Sequence, residues 1–141
     1  MAFWLGKTEP YKYAWADLVR DGQARWDGVR NFQARNNLGA ASVGDGFFIY
    51  HSREGLAVVG FARVSRSGYP DPTADEDPNP WLVVDIQPVI GLKQPVSLAA
   101  LKADSLLREL PLVRQSRLSV SPVTEAQARR IFALGETPWP A

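Results

Sequence analysis

Apolar runs and alternating segments, interrupted by short stretches with a three-to-four-residue repeat, divide the chain into several strands and a few short helices. An apolar start, Phe3 to Leu5, reads as an opening strand that Lys7-Thr8-Glu9-Pro10 ends, because proline has no amide to donate to a ladder. After the turn Val43 to Gly46, FFIYHS at Phe47 to Ser52 is rich in aromatic and branched residues and predicts a second strand. Leu56 to Val64 and Trp81 to Ile90 predict two more, and a further strand includes Leu118 to Val120 within the stretch Leu112 to Val123.

Helical spacing predicts four helices. Trp15, Leu18 and Val19 share one side of a helix over Trp15 to Arg20 that Gly22 ends. Ala14 stands where a serine, threonine or aspartate would satisfy a free amide, so its first turn is expected to fray or shift. Asn31 is the N-cap expected for a second helix running toward Leu38, with Gly39 marking its end. Ser97 caps a third through Leu101 to Lys102. Thr124 and Gln127 form a capping box for the last, which puts Ala128, Ile131 and Phe132 on one buried face before Gly135. Between strands, Ser67 to Pro80 carries four prolines and four acidic residues, and loops of that length are commonly either functional or disordered. The pattern predicts a single α+β domain over residues 1–136, a curved sheet or small β-barrel with flanking short helices. Residues 137–141 form a loose tail in which Trp139 has reason to dock.

Composition narrows the class. A hydrophobic fraction of 45% and a charged fraction of 22% exclude a disordered or collagen-like chain. The absence of cysteine excludes a disulfide scaffold and a thiolate zinc site. A lone His51 with scattered carboxylates makes no zinc ligand set, and Asp75, Glu76 and Asp77 lack the glycine and alternating oxygens of a calcium loop, so neither metal nor cofactor is expected. MAFWLGKTEP reaches charge and proline too early for a secretory segment, and no apolar run is long enough to cross a bilayer. A soluble cytoplasmic protein is the expectation, with nucleoid association open. The net charge of +1 argues against coating duplex DNA through counterion release. Any nucleic-acid site has to be local.

Local chemistry concentrates in WDGVRNFQARNN, Trp26 to Asn37, which packs an aromatic, a turn glycine, two arginines and three asparagines into twelve positions. Trp26 either stacks on a base or packs in the core. Arg30 and Arg35 either fork to phosphate or a base edge, or pair with Asp27 or Glu9. Asn31 and Asn36 can present an amide to a base, unless Asn31 is spent on capping. At the end of the first strand Lys7, Thr8 and Glu9, beside Pro10, project either into the mouth of a barrel or into solvent. Tyr50 and Ser52 share one strand face while His51 takes the other. Tyr69 is a candidate lid and Asp71 a candidate acceptor for an exocyclic amine. Arg114 and Arg117 either complete a basic lip or guard a strand edge.

Six blocks in order, WLGKTEP (Trp4 to Pro10), WDGVRNFQARNN, FFIYHS, YPDPT (Tyr69 to Thr73), KAD (Lys102 to Asp104) and LVRQSRLSV (Leu112 to Val120), make nearly the whole chain resemble the EVE domain. That is the domain of the thymocyte nuclear protein family, within the PUA-like superfamily. The resemblance implies a PUA-like β-barrel fold with a concave pocket that reads modified bases, particularly methylated or hydroxymethylated cytosine in DNA. On it, Gly28 and Val29 join the residues named above as base-pocket or nucleic-acid contacts. Two departures stand out, Ala14 before Trp15 and Gly39 within the helix after Arg35. Both bear on helix geometry more than on the ligand.

The expected function is therefore a non-catalytic module binding nucleic acid that carries a modified base, with DNA favoured and RNA, including transfer RNA, the alternative. An enzyme acting on a nucleotide, with Glu9, His51 or Asp27 as base, lacks a phosphate loop, a nucleophile elbow and a deaminase cysteine pair. A small-molecule sensor would use the same pocket.

Overall fold

The computed structural model describes residues 1–140. In chain order the elements are β1 (Phe3–Thr8), α1 (Trp15–Asp21), β2 (Ala24–Arg25), α2 (Phe32–Ala40), β3 (Gly46–His51), β4 (Ala57–Pro70) and β5 (Leu82–Ser97), then α3 (Leu98–Ala103), a 3-10 turn (Leu107–Glu109), α4 (Pro111–Arg114), β6 (Val120–Val123) and α5 (Glu125–Leu134). The strands form one mixed sheet in the order β2-β5-β4-β3-β1-β6. Only the β1–β3 pairing is parallel; the others are antiparallel. Register shifts at Val58/Gly60, Phe61/Ala62, Val64/Arg66 and Arg66/Tyr69 bend the long β4–β5 ribbon, since each bulge adds local twist. The result is an α+β fold on a curved sheet.

The unbroken apolar run of β3 follows from burial on both faces. Phe48 packs with Phe61, Leu101, Leu107 and Phe132 beneath α3 and α5. Its neighbour Phe47 points the other way, into a second cluster with Trp26, Leu38 and Val84 beneath α1 and α2. That second layer carries the candidate site. Leu18 anchors α1 in it, whereas Val19, expected on the same side, is 54% exposed.

Several boundaries differ from the sequence expectation for identifiable reasons. β4 continues to Pro70 because its bulges carry pairing past the polar Ser65 to Gly68, and the following loop shortens to residues 71–81. Gly39 lies inside α2 rather than at its end. A Cβ there would sit 3.0 Å from Leu82 Cδ1, so the glycine lets the helix close on β5. Leu112 to Arg114 are helical, started by Pro111 at the first helical position, and the last strand begins only at Val120. Residues 137–140 are held rather than loose, Ala141 lying outside the described residues: the Trp139 ring lies 5.5 Å from Phe3 and 5.3 Å from Phe132, and Thr137 Oγ1 accepts from the Lys93 amide at 2.8 Å. No described helix is long and apolar enough to cross a membrane.

α1 starts without the expected fraying. Asp17 accepts from the Ala14 amide at 2.8 Å, and His51 Nε2, from β3, accepts from the Trp15 amide at 3.0 Å. The Trp15 ring lies flat on the sheet where a Cβ on Gly60 would come within 2.4 Å of it. His51 is thus a cap supplied from across the fold. It can accept only while neutral at Nε2, and burial pushes its pKa below the ordinary 6.5. The unfolded chain then binds the proton more readily, so this contribution is complete above about pH 6.5 and declines as pH falls below it. Because the chain has one histidine, urea unfolding between pH 5 and 7.5 should show a loss of stability toward acid that His51→Gln flattens. An identical slope in the variant would remove His51 from this role.

Candidate functional site

Beside the second core layer lies a cavity of about 680 Å³, within the range of small-ligand sites. Lys7 and Thr8 at the end of β1 form one side, Lys12 and Tyr13 the approach to α1, and Asp21, Gln23, Ala24 and Arg25 the turn into β2. The segment Trp26 to Arg30 forms the opposite wall, with Ser119 completing the lining. Trp26 is 8% exposed, its ring edge-on to Phe47 at a centroid distance of 5.1 Å. A Cβ on Gly6 would fall 2.6 Å from Phe47 and 2.8 Å from Trp26, so this strand glycine makes the seat for both rings. Trp26 is at once core residue and cavity lining.

Asp71 fixes the wall. Its side chain is fully buried and accepts from the Gly28 amide at 2.9 Å, Arg30 Nη1 at 3.0 Å, and the Thr73 amide and hydroxyl at 2.8 and 2.6 Å. Burial works to raise its pKa, but the Thr73 hydroxyl, the two amides and Arg30 outweigh it and bring the carboxyl down to about 2. Gly28 sits at φ 78°, a left-handed conformation that turns its amide toward that carboxylate at little cost for glycine.

The rim is locally basic. Lys7, Lys12, Arg25 and Arg30 face the cavity against two carboxylates, Asp21 and Asp27, whereas the whole chain carries +1. Asp27 accepts from Arg25 Nε at 3.1 Å. Lys7 donates to the Ser116 carbonyl, a neutral partner, and burial lowers its pKa. No carboxylate among the described residues pairs with it. Tyr13 donates its hydroxyl to Asp21 at 2.9 Å, and burial, followed by that bond, pushes its pKa to about 12, so it remains a neutral donor at physiological pH. Among the described residues no three His, Cys, Asp or Glu are placed to hold a metal ion. What the arrangement can do is enclose a flat polar ring beside Trp26 and attract an anionic backbone at its mouth.

Of the residues singled out in the sequence, the fold gathers Lys7, Thr8, Trp26, Gly28, Val29 and Arg30 around this cavity. The others lie outside its lining. Glu9 turns to Lys12 and Arg53, at 3.6 and 3.3 Å, with Pro10 following it into the turn. Asn31 caps α2 by accepting from the Ala34 amide at 2.9 Å. Arg35 is fastened to the Pro80 carbonyl and to Asn36. Tyr50 is buried in the core cluster beneath α3, His51 caps α1, and the Ser52 amide donates to the Thr8 carbonyl at 2.9 Å. Tyr69 donates to Asp85 at 2.6 Å with Arg66 over its ring, so it does not close the cavity as a lid. Asp71 has no room for an exocyclic amine, since its oxygens are taken by the wall itself. Arg114 sits on α4 and pairs with Glu109 at 2.7 Å, and Arg117 is in the turn before Ser119.

Sequence reasoning missed Lys12, Tyr13, Asp21, Gln23, Ala24, Arg25 and Ser119 as cavity residues. The polar run Asp21 to Arg25, leading straight into Trp26, was the available signal. Arg30's partner is Asp71, forty-one residues away, rather than Asp27 or Glu9.

The EVE domain family model matches residues 2–134. Thymocyte nuclear protein 1 of Mus musculus is 34% identical, over 96% of this chain and 74% of that protein. A crystallised protein of Agrobacterium tumefaciens superposes with a TM-score of 0.95 at 44% identity, covering 99% of this chain and 97% of its own. Human THYN1, crystallised in complex with DNA containing 5-methylcytosine, superposes with a TM-score of 0.89 at 30% identity, over 99% of this chain and 100% of that one.

The Asp71 clamp gives a direct test. A carboxyl held at about 2 in the fold stabilises it fully above the ordinary value near 3.8, and that stability is lost as pH falls through 2. Asp71→Asn should cost about 2 to 4 kcal/mol at neutral pH, measured by chemical denaturation, and should remove part of the acid dependence between about pH 4 and 2. Unchanged stability in the variant would contradict the clamp.

Proposed function

This chain belongs to the EVE domain family, and from that premise we propose that it is a non-catalytic module that binds DNA at a methylated or hydroxymethylated cytosine. The observation that carries the reading is the cavity itself, a recess lined by Trp26 with a net basic rim on an otherwise nearly neutral chain. A modified base is read by leaving the stack, entering such a recess and meeting fixed donors and acceptors. Trp26 supplies a flat face, with Val29 and Ala24 as apolar surface for a methyl group. Tyr13, Thr8 and Ser119 supply hydroxyls, Gln23 an amide, and Asp27, which Arg25 engages at one oxygen, an acceptor for an exocyclic amine. Lys7, with only a carbonyl partner, is suited to a phosphate oxygen or a base carbonyl at the mouth. The proposed binding unit is residues 1–136, acting wherever its DNA target lies. The human relative solved with 5-methylcytosine-containing DNA supports the same ligand class.

Binding of matched oligonucleotides, plain and modified, DNA and RNA, across salt concentrations tests the proposal. Preference for modified-cytosine DNA is expected; equal affinity for every ligand would defeat it, and preference for the RNA would assign a 2′-hydroxyl contact instead. Arg30 is a poor first substitution because losing it also breaks the Asp71 clamp. Lys7→Gln orphans no carboxylate. It should keep the unfolding midpoint, weaken DNA binding roughly three- to tenfold and lower the salt slope by about one.

A further inference from the structure

Thymine carries the same C5 methyl group as 5-methylcytosine, so a stacking face and an apolar place for a methyl group do not separate the two. The bases differ at position 4, where cytosine has an amine that donates and thymine a carbonyl that accepts. A protein that reads methylated cytosine in DNA has to test that position, and two hydroxyls in the cavity wall are already polarised for it.

Tyr13 lines the cavity on the approach to α1. Its ring packs against the second core layer, its carbonyl accepts from Thr8 Oγ1 at 2.7 Å, and its hydroxyl donates to Asp21 Oδ2 at 2.9 Å. An ionised carboxylate has no hydrogen to give, so the direction of that last bond is fixed. Arg20 holds the carboxylate in turn, donating from Nε to Oδ1 at 2.9 Å. With its one proton spent on Asp21, the Tyr13 hydroxyl offers a ligand lone pairs only, and no described residue donates to that oxygen. Thr8, whose proton is spent on the Tyr13 carbonyl, is polarised the same way. A free hydroxyl rotates to suit a donor or an acceptor. These two are committed before any ligand arrives.

We propose that the Tyr13 hydroxyl is the group that selects cytosine over thymine, accepting a hydrogen from the exocyclic amine and repelling the carbonyl oxygen that thymine has in its place. Asp21 is the positioning residue that keeps the hydroxyl proton turned away from the ligand. The proposal rests on the reading of the cavity as a modified-cytosine site, and adds a second, separate discrimination to it. Apolar surface distinguishes methyl from hydrogen, and Tyr13 distinguishes amine from carbonyl.

The test uses the full chain and three duplexes identical but for one nucleotide opposite guanine, which is 5-methylcytosine, thymine or cytosine. A mismatched thymine leaves the stack more easily than a paired base, so extrusion alone favours thymine and any preference for 5-methylcytosine comes from the protein. Tyr13→Phe keeps the ring and deletes the oxygen. It should cut the preference for 5-methylcytosine over thymine roughly five- to tenfold and keep the preference for 5-methylcytosine over cytosine, since both of those carry the amine. Asp21→Asn can donate to the Tyr13 oxygen and free its proton for the ligand, so it should lower the same ratio with the tyrosine intact. An unchanged ratio there would remove Asp21 from the positioning role. Equal affinity of the wild type for the 5-methylcytosine and thymine duplexes, or an unchanged ratio in Tyr13→Phe, would overturn the selection by Tyr13 while leaving methyl reading intact. An equal fall for all three duplexes in Tyr13→Phe would make the residue wall alone and overturn it as well. A wild type with no preference for 5-methylcytosine over cytosine would instead overturn the reading of the cavity as a modified-base site.

Discussion

A buried carboxylate with its hydrogen bonds satisfied from two chain segments is the constraint on which the site depends. Asp71 has lost its water, and an uncompensated ion there would cost several kcal/mol, so the fold persists only with Gly28, Arg30 and Thr73 all turned toward it. These donors belong to the Trp26 wall and to the connection after β4. The wall cannot take its shape until that connection has folded back. Arg30 thereby acquires two functions that cannot be varied independently, as a rim cation and as the partner of a buried anion.

Charge placement follows a related logic. Several cations sit in exposed pairs, such as Arg20 with Asp17 and Asp21 or Arg129 with Glu125, which are worth little and leave no field beyond the surface. Lys7 is different, with a carbonyl partner and partial burial. A nearly neutral protein thus keeps a positive potential in one recess, which favours a specific anionic ligand over broad adhesion to nucleic acid.

What was legible in the sequence was whatever depends on neighbours along the chain. The caps at Asn31, Ser97 and Thr124 stand where expected, because a capping residue reaches an amide only three positions away. The strand that begins at the aromatic run Phe47-Phe48 and the stop at Gly22 are equally local. What was not legible required distant partners. Ala14 predicts a weak helix start because it has no capping side chain; Asp17 meets its amide locally, but nothing in the sequence places His51 above Trp15. Asp71 reads as a free acceptor until Gly28 and Arg30 are seen to fill it. Arg114 and Tyr69 drop out of the cavity for the same reason, their partners Glu109 and Asp85 being visible only in the fold. The turn Asp21 to Arg25 escaped notice because a two-residue strand leaves no periodic trace.

Gly6 bears on how finely the recess can measure. A single methyl group in an apolar pocket is worth about 1 to 3 kcal/mol at most, and only if the walls do not give way to admit or close around it. The Trp26 ring rests against strand backbone at Gly6 and against the fully buried Phe47, with no flexible side chain between. Such a lining has little compliance. On the proposed reading, the tolerance of the recess is set by main-chain positions in β1 and β3, so side chains elsewhere on the rim can vary to suit a different modification while the reference plane against which size is judged stays where it is.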